Sequence, residues 1–201
     1  MKLAVIDTET TGTDPRRHEL WEIGIVIRED GKPAAEYAWQ VRPDLAAADP
    51  AALRIGGYRN RCQVAGQPVG TVAALTAPAG TPEVATAADL AALLGELLHG
   101  TVLAGVNVAF DRDFAAAFLA RHGEILTADY HLIEVCSLAA GWLACAGRPV
   151  AAPWRSDDLA RALGIDTAGY ARHSALADAW YAAAIYDAAT AAAPGHATRA
   201  A

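Results

Sequence analysis

The chain has 201 residues, 54% of them apolar and 19% charged, with a formal net charge of −7. That length is most naturally one domain with a full core, and the acidic balance disfavours a protein that coats long duplexes through a global basic field. Cys62, Cys136 and Cys145 are odd in number and lack Cys-x-x-Cys spacing, which points away from a disulfide framework or zinc knuckle and toward free thiols. Asp7 and Glu9 interrupt the N-terminal apolar run before it reaches signal-peptide length, and the longest apolar stretch, Val135 to Gly147, is too short to cross a bilayer. A cytoplasmic protein with no membrane partner is expected.

Leu3 to Ile6 reads as a buried central strand ending in Asp7, followed by turn chemistry from Thr10 to Pro15. Trp21, Ile23, Ile25 and Ile27 alternate with Glu22, Gly24 and Val26, a period-two strand. Asp30-Gly31 signals a hairpin, and Tyr37, Trp39 and Val41 alternate on the next strand. These three strands predict an antiparallel meander. From Arg42 to Ala85 periodicity fades, leaving a long irregular segment with a short helix around Pro50 to Leu53.

Thr86 with Asp89 three residues on opens a helix whose apolar face is Leu90, Leu93, Leu94, Leu97 and Leu98, stopped by Gly100. A strand follows from Thr101 to Val106, then a helix carrying Asp111 at its start, Phe114 and Phe118. A strand near His131 to Val135 leads into a helix through Trp142, and Ser156 is the expected cap of a short helix closed by Gly164. The last helix runs from about Ala175 to Thr190, completing a single domain over 1–190, with a disordered tail at 191–201. A meander followed by alternating helices and strands predicts an α/β protein: a mixed five-stranded sheet with flanking helices, in outline a ribonuclease-H-like fold.

The acids carry the chemistry. Asp7 and Glu9 are two apart in an extended segment, so both carboxylates face one way, and they repel unless a cation lies between them. Asp111 combines a helix-capping position with that of a possible further ligand. His173 and Asp178 are five residues apart, about 140° in azimuth on one helix. They converge only if His173 lies ahead of the helix, with Ser174 as N-cap and Asp178 inside; the expected arrangement has Asp178 fixed and His173 on a movable loop. Hard oxygen donors suit Mg²⁺ or Mn²⁺ better than zinc, and two such ions can support cleavage of a phosphodiester bond. A histidine, with its ordinary pKa of about 6.5, suits a general base.

These residues resemble the DEDDh branch of 3′–5′ exonucleases. The resemblance rests on Asp7-Thr8-Glu9-Thr10-Thr11-Gly12, on Asn107-x-x-Phe110-Asp111 and on His173-Ser174-Ala175-Leu176-Ala177-Asp178, in the family's order. It implies that Asp7, Glu9, Asp111 and Asp178 bind two divalent cations, Mg²⁺ or Mn²⁺, and that His173 activates water. It also implies that Thr8, Thr10 and nearby backbone contact the terminal nucleotide. Thr13 stands where the family often has a bulky apolar residue, and Val106 where many members have His.

The expected activity is a metal-dependent 3′–5′ exonuclease that releases nucleoside 5′-monophosphates from single-stranded DNA, in proofreading or repair. The alternatives are an RNA-trimming enzyme of the RNase T or oligoribonuclease type, and a non-catalytic nucleic-acid-binding module. The expected partner is a single-stranded 3′ end, DNA ahead of RNA; a DNA polymerase is a candidate further partner that the sequence leaves open, and the protein is expected to be a monomer or homodimer. Asn107 either holds its turn or binds substrate, and Phe110 either lines the pocket or packs in the core. Arg54, Arg59 and Arg61, with Tyr58 among them and no acid between Leu53 and Cys62, are expected to contact phosphates while Tyr58 stacks on a base.

Overall fold

The computed structural model describes residues 2–170 and 173–191; the expected tail beyond 191 lies outside them. Three long strands, β1 (Lys2–Thr10), β2 (Leu20–Glu29) and β3 (Ala35–Val41), form the expected meander. Gly31 takes a φ of 75° in the β2–β3 turn, where a side chain would be strained. The next segment is more ordered than its sequence predicts. It contains α1 (Pro50–Ile55), α2 (Tyr58–Arg61) and a strand, β4 (Val72–Thr76), which pairs antiparallel with β3. The sheet therefore has six strands. β4 escapes the sequence because an edge strand of small residues needs little apolar alternation.

Then follow α3 (Ala87–Leu98), β5 (Val102–Gly105), α4 (Val108–Arg121), β6 (Leu132–Glu134), α5 (Val135–Cys145), α6 (Ser156–Ala162) and α7 (Ala175–Thr190). The Thr86–Asp89 capping box forms as expected. Ser156 does not cap α6: Arg155 holds that position, and Ser156 is the first helical residue. Strand order is β4-β3-β2-β1-β5-β6; the pairs β1–β2, β2–β3 and β3–β4 are antiparallel, and the pairs β1–β5 and β5–β6 are parallel.

Both faces of the sheet are buried. Ala4, Ile6, Ile23, Ile25 and Trp39 pack under α3 and α4. Leu3, Val5 and Val26 pack under α5, α6 and α7. Strand alternation then distributes the first motif. Thr8 shares the α4 side with Ala4 and Ile6, while Asp7 and Glu9 share the α7 side with Leu3 and Val5. Gly24, paired with Asp7, lets α7 approach closely: a Cβ there would lie 2.2 Å from the Leu176 nitrogen. Among the described residues, no helix is long and apolar enough to cross a membrane.

Candidate active site

The end of β1 meets the start of α7. Ser174 is the N-cap of α7 and Asp178 lies in its first turn, so His173 precedes the helix as its spacing requires. His173 has a φ of 67°, and its backbone N–H donates to Asp178 Oδ2 at 2.9 Å. This turn aims both side chains at β1. One ligand atom each from Glu9, His173 and Asp178 lie within 4.8 Å of one another.

Asp7 and Asp111 adjoin this group. Burial pushes the Asp7 carboxyl well above its usual value, and the charges of Asp111, Asp178, Glu9 and Glu22 push it further. Burial also raises Glu9 to about 7, with Arg61 pulling the other way and Glu22 and Asp178 reinforcing the rise. Asp111 is raised to about 7 by burial, opposed by hydrogen bonds from Thr8. So many ionised carboxylates do not share a buried site unaided. A divalent cation among them offsets both desolvation and repulsion, so the donor set fits the group that the sequence implies.

The structure corrects several sequence expectations. Asp111 is not a helix cap: α4 starts three residues earlier, and the 3% exposed Asp111 is held by Thr8, which donates its N–H and hydroxyl at 2.8 and 2.7 Å. Thr8 therefore orients an acid, and its donors do not face a nucleotide. The Thr10 hydroxyl likewise donates to the Gly12 carbonyl at 2.7 Å, closing its own turn. Tyr58 is 4% exposed and packs edge-on against Trp21 with ring centroids 5.2 Å apart, so no base can stack on it. Arg61, expected to face phosphates, turns inward instead, donating to Glu22 and the Gly56 carbonyl, with Glu9 at 3.5 Å. Those carboxylates provide more favourable partners than solvent.

Arg54 and Arg59 remain exposed and line a groove of about 510 Å³ with Leu45, Leu53 and Asn60. Asn107 is exposed and adopts a left-handed φ of 56° between β5 and α4, with its N–H directed at Glu134 Oε1 at 3.3 Å, so it holds the turn. Phe110 lies 4.7 Å from Phe114 between ring centroids and packs against the core.

Sequence reasoning missed Glu22, which is fully buried. In an alternating strand it reads as the polar, outward side; only its pairing across from Glu9 could have flagged it.

Solved structures with this architecture include those of exonuclease I. The zinc-bound form of the E. coli exonuclease I–single-stranded DNA complex matches with a TM-score of 0.64 and 20% identity, over 94% of this chain and 39% of that one. A product-bound exonuclease I matches with a TM-score of 0.66 and 17% identity, over 93% and 42%. The E. coli exonuclease I complex with a dT13 oligonucleotide matches with a TM-score of 0.66 and 18% identity, over 92% and 41%. The chain thus spans about two fifths of the length of these proteins. At such identity the likeness is one of fold, and the fold is ribonuclease-H-like, as the sequence predicts. No protein-family profile matches the chain, and no curated protein matches it.

Proposed function

We propose that this chain is a 3′–5′ exonuclease of the DEDDh type acting on single-stranded DNA. The observation that carries the reading is the convergence of Glu9, His173 and Asp178 within 4.8 Å, from segments more than 160 residues apart in sequence. Asp7, Glu9, Asp111 and Asp178 would hold two divalent cations, with Mg²⁺ or Mn²⁺ best suited to a carboxylate-rich donor set. When bound, the cations supply positive charge at the attacking water and at the departing 3′ oxygen.

The chain's own residues do the rest. His173 accepts the proton of the attacking water at a ring nitrogen. Its position is fixed by its backbone N–H on Asp178. Thr8 holds Asp111 in one rotamer, and its two donors favour the ionised form of that acid. Asn107, exposed at the start of α4, is placed to meet substrate as well as to hold its turn.

DNA is preferred because two of the similar structures are complexes of exonuclease I with single-stranded DNA. Proofreading or repair, alone or beside a polymerase, is the setting such an activity serves, and a cytoplasmic monomer or homodimer is the expected form. The test uses 5′-labelled single-stranded DNA and RNA with Mg²⁺, with Mn²⁺ and with chelator, for wild type and Asp7→Ala. Shortening from the 3′ end that stops with chelator and in the variant is expected, faster on DNA. Faster trimming of RNA assigns the chain to the exoribonuclease alternative, and binding without cleavage makes it an accessory module.

A further inference from the structure

Glu22 lies at the junction of every segment that carries the acids and His173 of the α7 side, yet its carboxylate has no place in the chemistry proposed above. It pairs with Glu9 on β1 and with Gln40 on β3, so Glu9, Glu22 and Gln40 form one row across three strands on the α7 side of the sheet. A fully buried carboxylate is unfavourable unless its oxygens are satisfied. Here both are. Oε2 accepts from Gln40 Nε2 at 2.7 Å. Oε1 accepts from Arg61 at 2.5 Å and from the Ala175 backbone N–H at 2.8 Å.

The last contact has a specific meaning. Ser174 provides no side-chain cap to α7, so a first-turn N–H of that helix is satisfied by a carboxylate from the sheet. Three residues on, the same turn presents Asp178, and immediately before it stands His173. The Arg61 contact points the other way along the site. Its guanidinium lies 3.5 Å from Glu9 Oε1, donates to the Gly56 carbonyl and sits 5.3 Å from the Trp21 ring centroid. Gln40 completes the arrangement by bonding the Arg61 carbonyl at 3.2 Å and accepting from the Gln63 N–H at 2.8 Å.

We infer that Glu22 is a positioning residue that, with Arg61, fixes Glu9 on β1 and Asp178 with His173 on α7 at one separation, so that the metal-binding acids are set before any cation arrives. The inference rests on the metal-site reading above and deepens it. Glu22 is fully buried, and the Arg61 guanidinium is committed to Glu22, the Gly56 carbonyl and Glu9. Glu22 holds the start of α7 by one backbone bond, and Arg61 restrains Glu9 from the side of the α1–α2 segment. Partners of this kind, one shell removed from the ligands, change metal affinity or activity by roughly 10- to 100-fold when removed.

The test measures Mn²⁺ binding to the full chain by electron paramagnetic resonance, without substrate, for wild type, Glu22→Gln and Glu22→Gln/Arg61→Met. Hydrogen exchange of the first turn of α7 and steady-state kinetics on a single-stranded oligonucleotide accompany it. Weaker Mn²⁺ binding by roughly 10- to 100-fold in both variants is expected, with faster exchange at Ala175 and a lower kcat at unchanged KM. If Glu22→Gln does not fold, the double variant decides, because it removes the buried charge of Glu22 together with the cation that faces it. A folded double variant that binds Mn²⁺ as wild type does, with unchanged exchange at Ala175, overturns the inference. A wild type that binds Mn²⁺ but cleaves no polynucleotide defeats the nuclease reading alone, since the Mn²⁺ constants still judge Glu22. A wild type that binds no Mn²⁺ overturns both.

Discussion

Thr8 delivers both of its donors to a single oxygen of Asp111, across 103 residues of sequence. The pairing follows from strand alternation: Asp7 and Glu9 point toward α7, so the residue between them points toward α4. One tripeptide at the end of β1 thereby supplies two acids on one face of the sheet and the orienting group for a third on the other.

Thr8→Val keeps the shape of the side chain and the backbone donor but removes the hydroxyl. The loss of one buried bond to a carboxylate is expected to destabilise the fold by about 1.5–3 kcal/mol and to reduce exonuclease turnover roughly tenfold. Thermal unfolding and single-turnover cleavage check both. Unchanged turnover would mean that the Thr8 N–H suffices to orient Asp111 without the hydroxyl.

Gly56 packs directly on the site. A Cβ there would lie 2.6 Å from Glu9 Oε2 and 3.2 Å from Trp21, although its φ of −71° suits any residue. Gly56→Ala is therefore a steric probe chiefly of Glu9, with a smaller push on Trp21. Cleavage is expected to fall by at least about tenfold with a stability change of about 1–3 kcal/mol. An active, equally stable variant would show that Glu9 moves without consequence.

The raised carboxyls fix the sign of a pH dependence. Glu9 and Asp111 titrate at about 7 in the folded protein, and Asp7 is raised as well, whereas unfolded carboxyls titrate at about 4. The folded state thus binds more protons between these values, so the stability these groups contribute is complete below about pH 4 and is lost as pH rises through 7. Without metal, Tm should fall from pH 5 to pH 8 more steeply in wild type than in Asp111→Asn. Added Mn²⁺ should raise Tm more at pH 8 than at pH 5. Differential scanning fluorimetry across that range is sufficient, and a wild-type slope no steeper than that of the variant would contradict the crowding of the acids.

Of Arg54, Tyr58, Arg59 and Arg61, all expected to meet substrate, Arg54 and Arg59 are the two that stay exposed, lining one groove. If each neutralises one phosphate of a single strand, Arg54→Gln/Arg59→Gln should lower the slope of log affinity against log salt by about 1.4. Binding titrations with a single-stranded oligonucleotide at several salt concentrations measure it. An unchanged slope would leave this basic pair as a solvated surface.

What the sequence alone determined is what local signals encode. The meander follows from period-two alternation, α3 from its capping box and leucine spacing, and the placement of His173 from the 140° misfit of a five-residue separation on one helix. The acids of the site are legible because Asp7-x-Glu9, Asn107-x-x-Phe110-Asp111 and His173-x4-Asp178 occur together and in one order, whereas acids at a strand end are by themselves commonly just solvated. The surroundings of Glu22, Arg61, Tyr58 and Thr8 were decided only by tertiary structure. Glu22 looks like the wet side of a half-buried strand until α7 docks over it, and Arg61 looks like a free cation until the α1–α2 segment folds it against Glu22. Whether a polar side chain faces water or an internal partner depends on what covers the other face of the sheet, and no period in the local sequence records that.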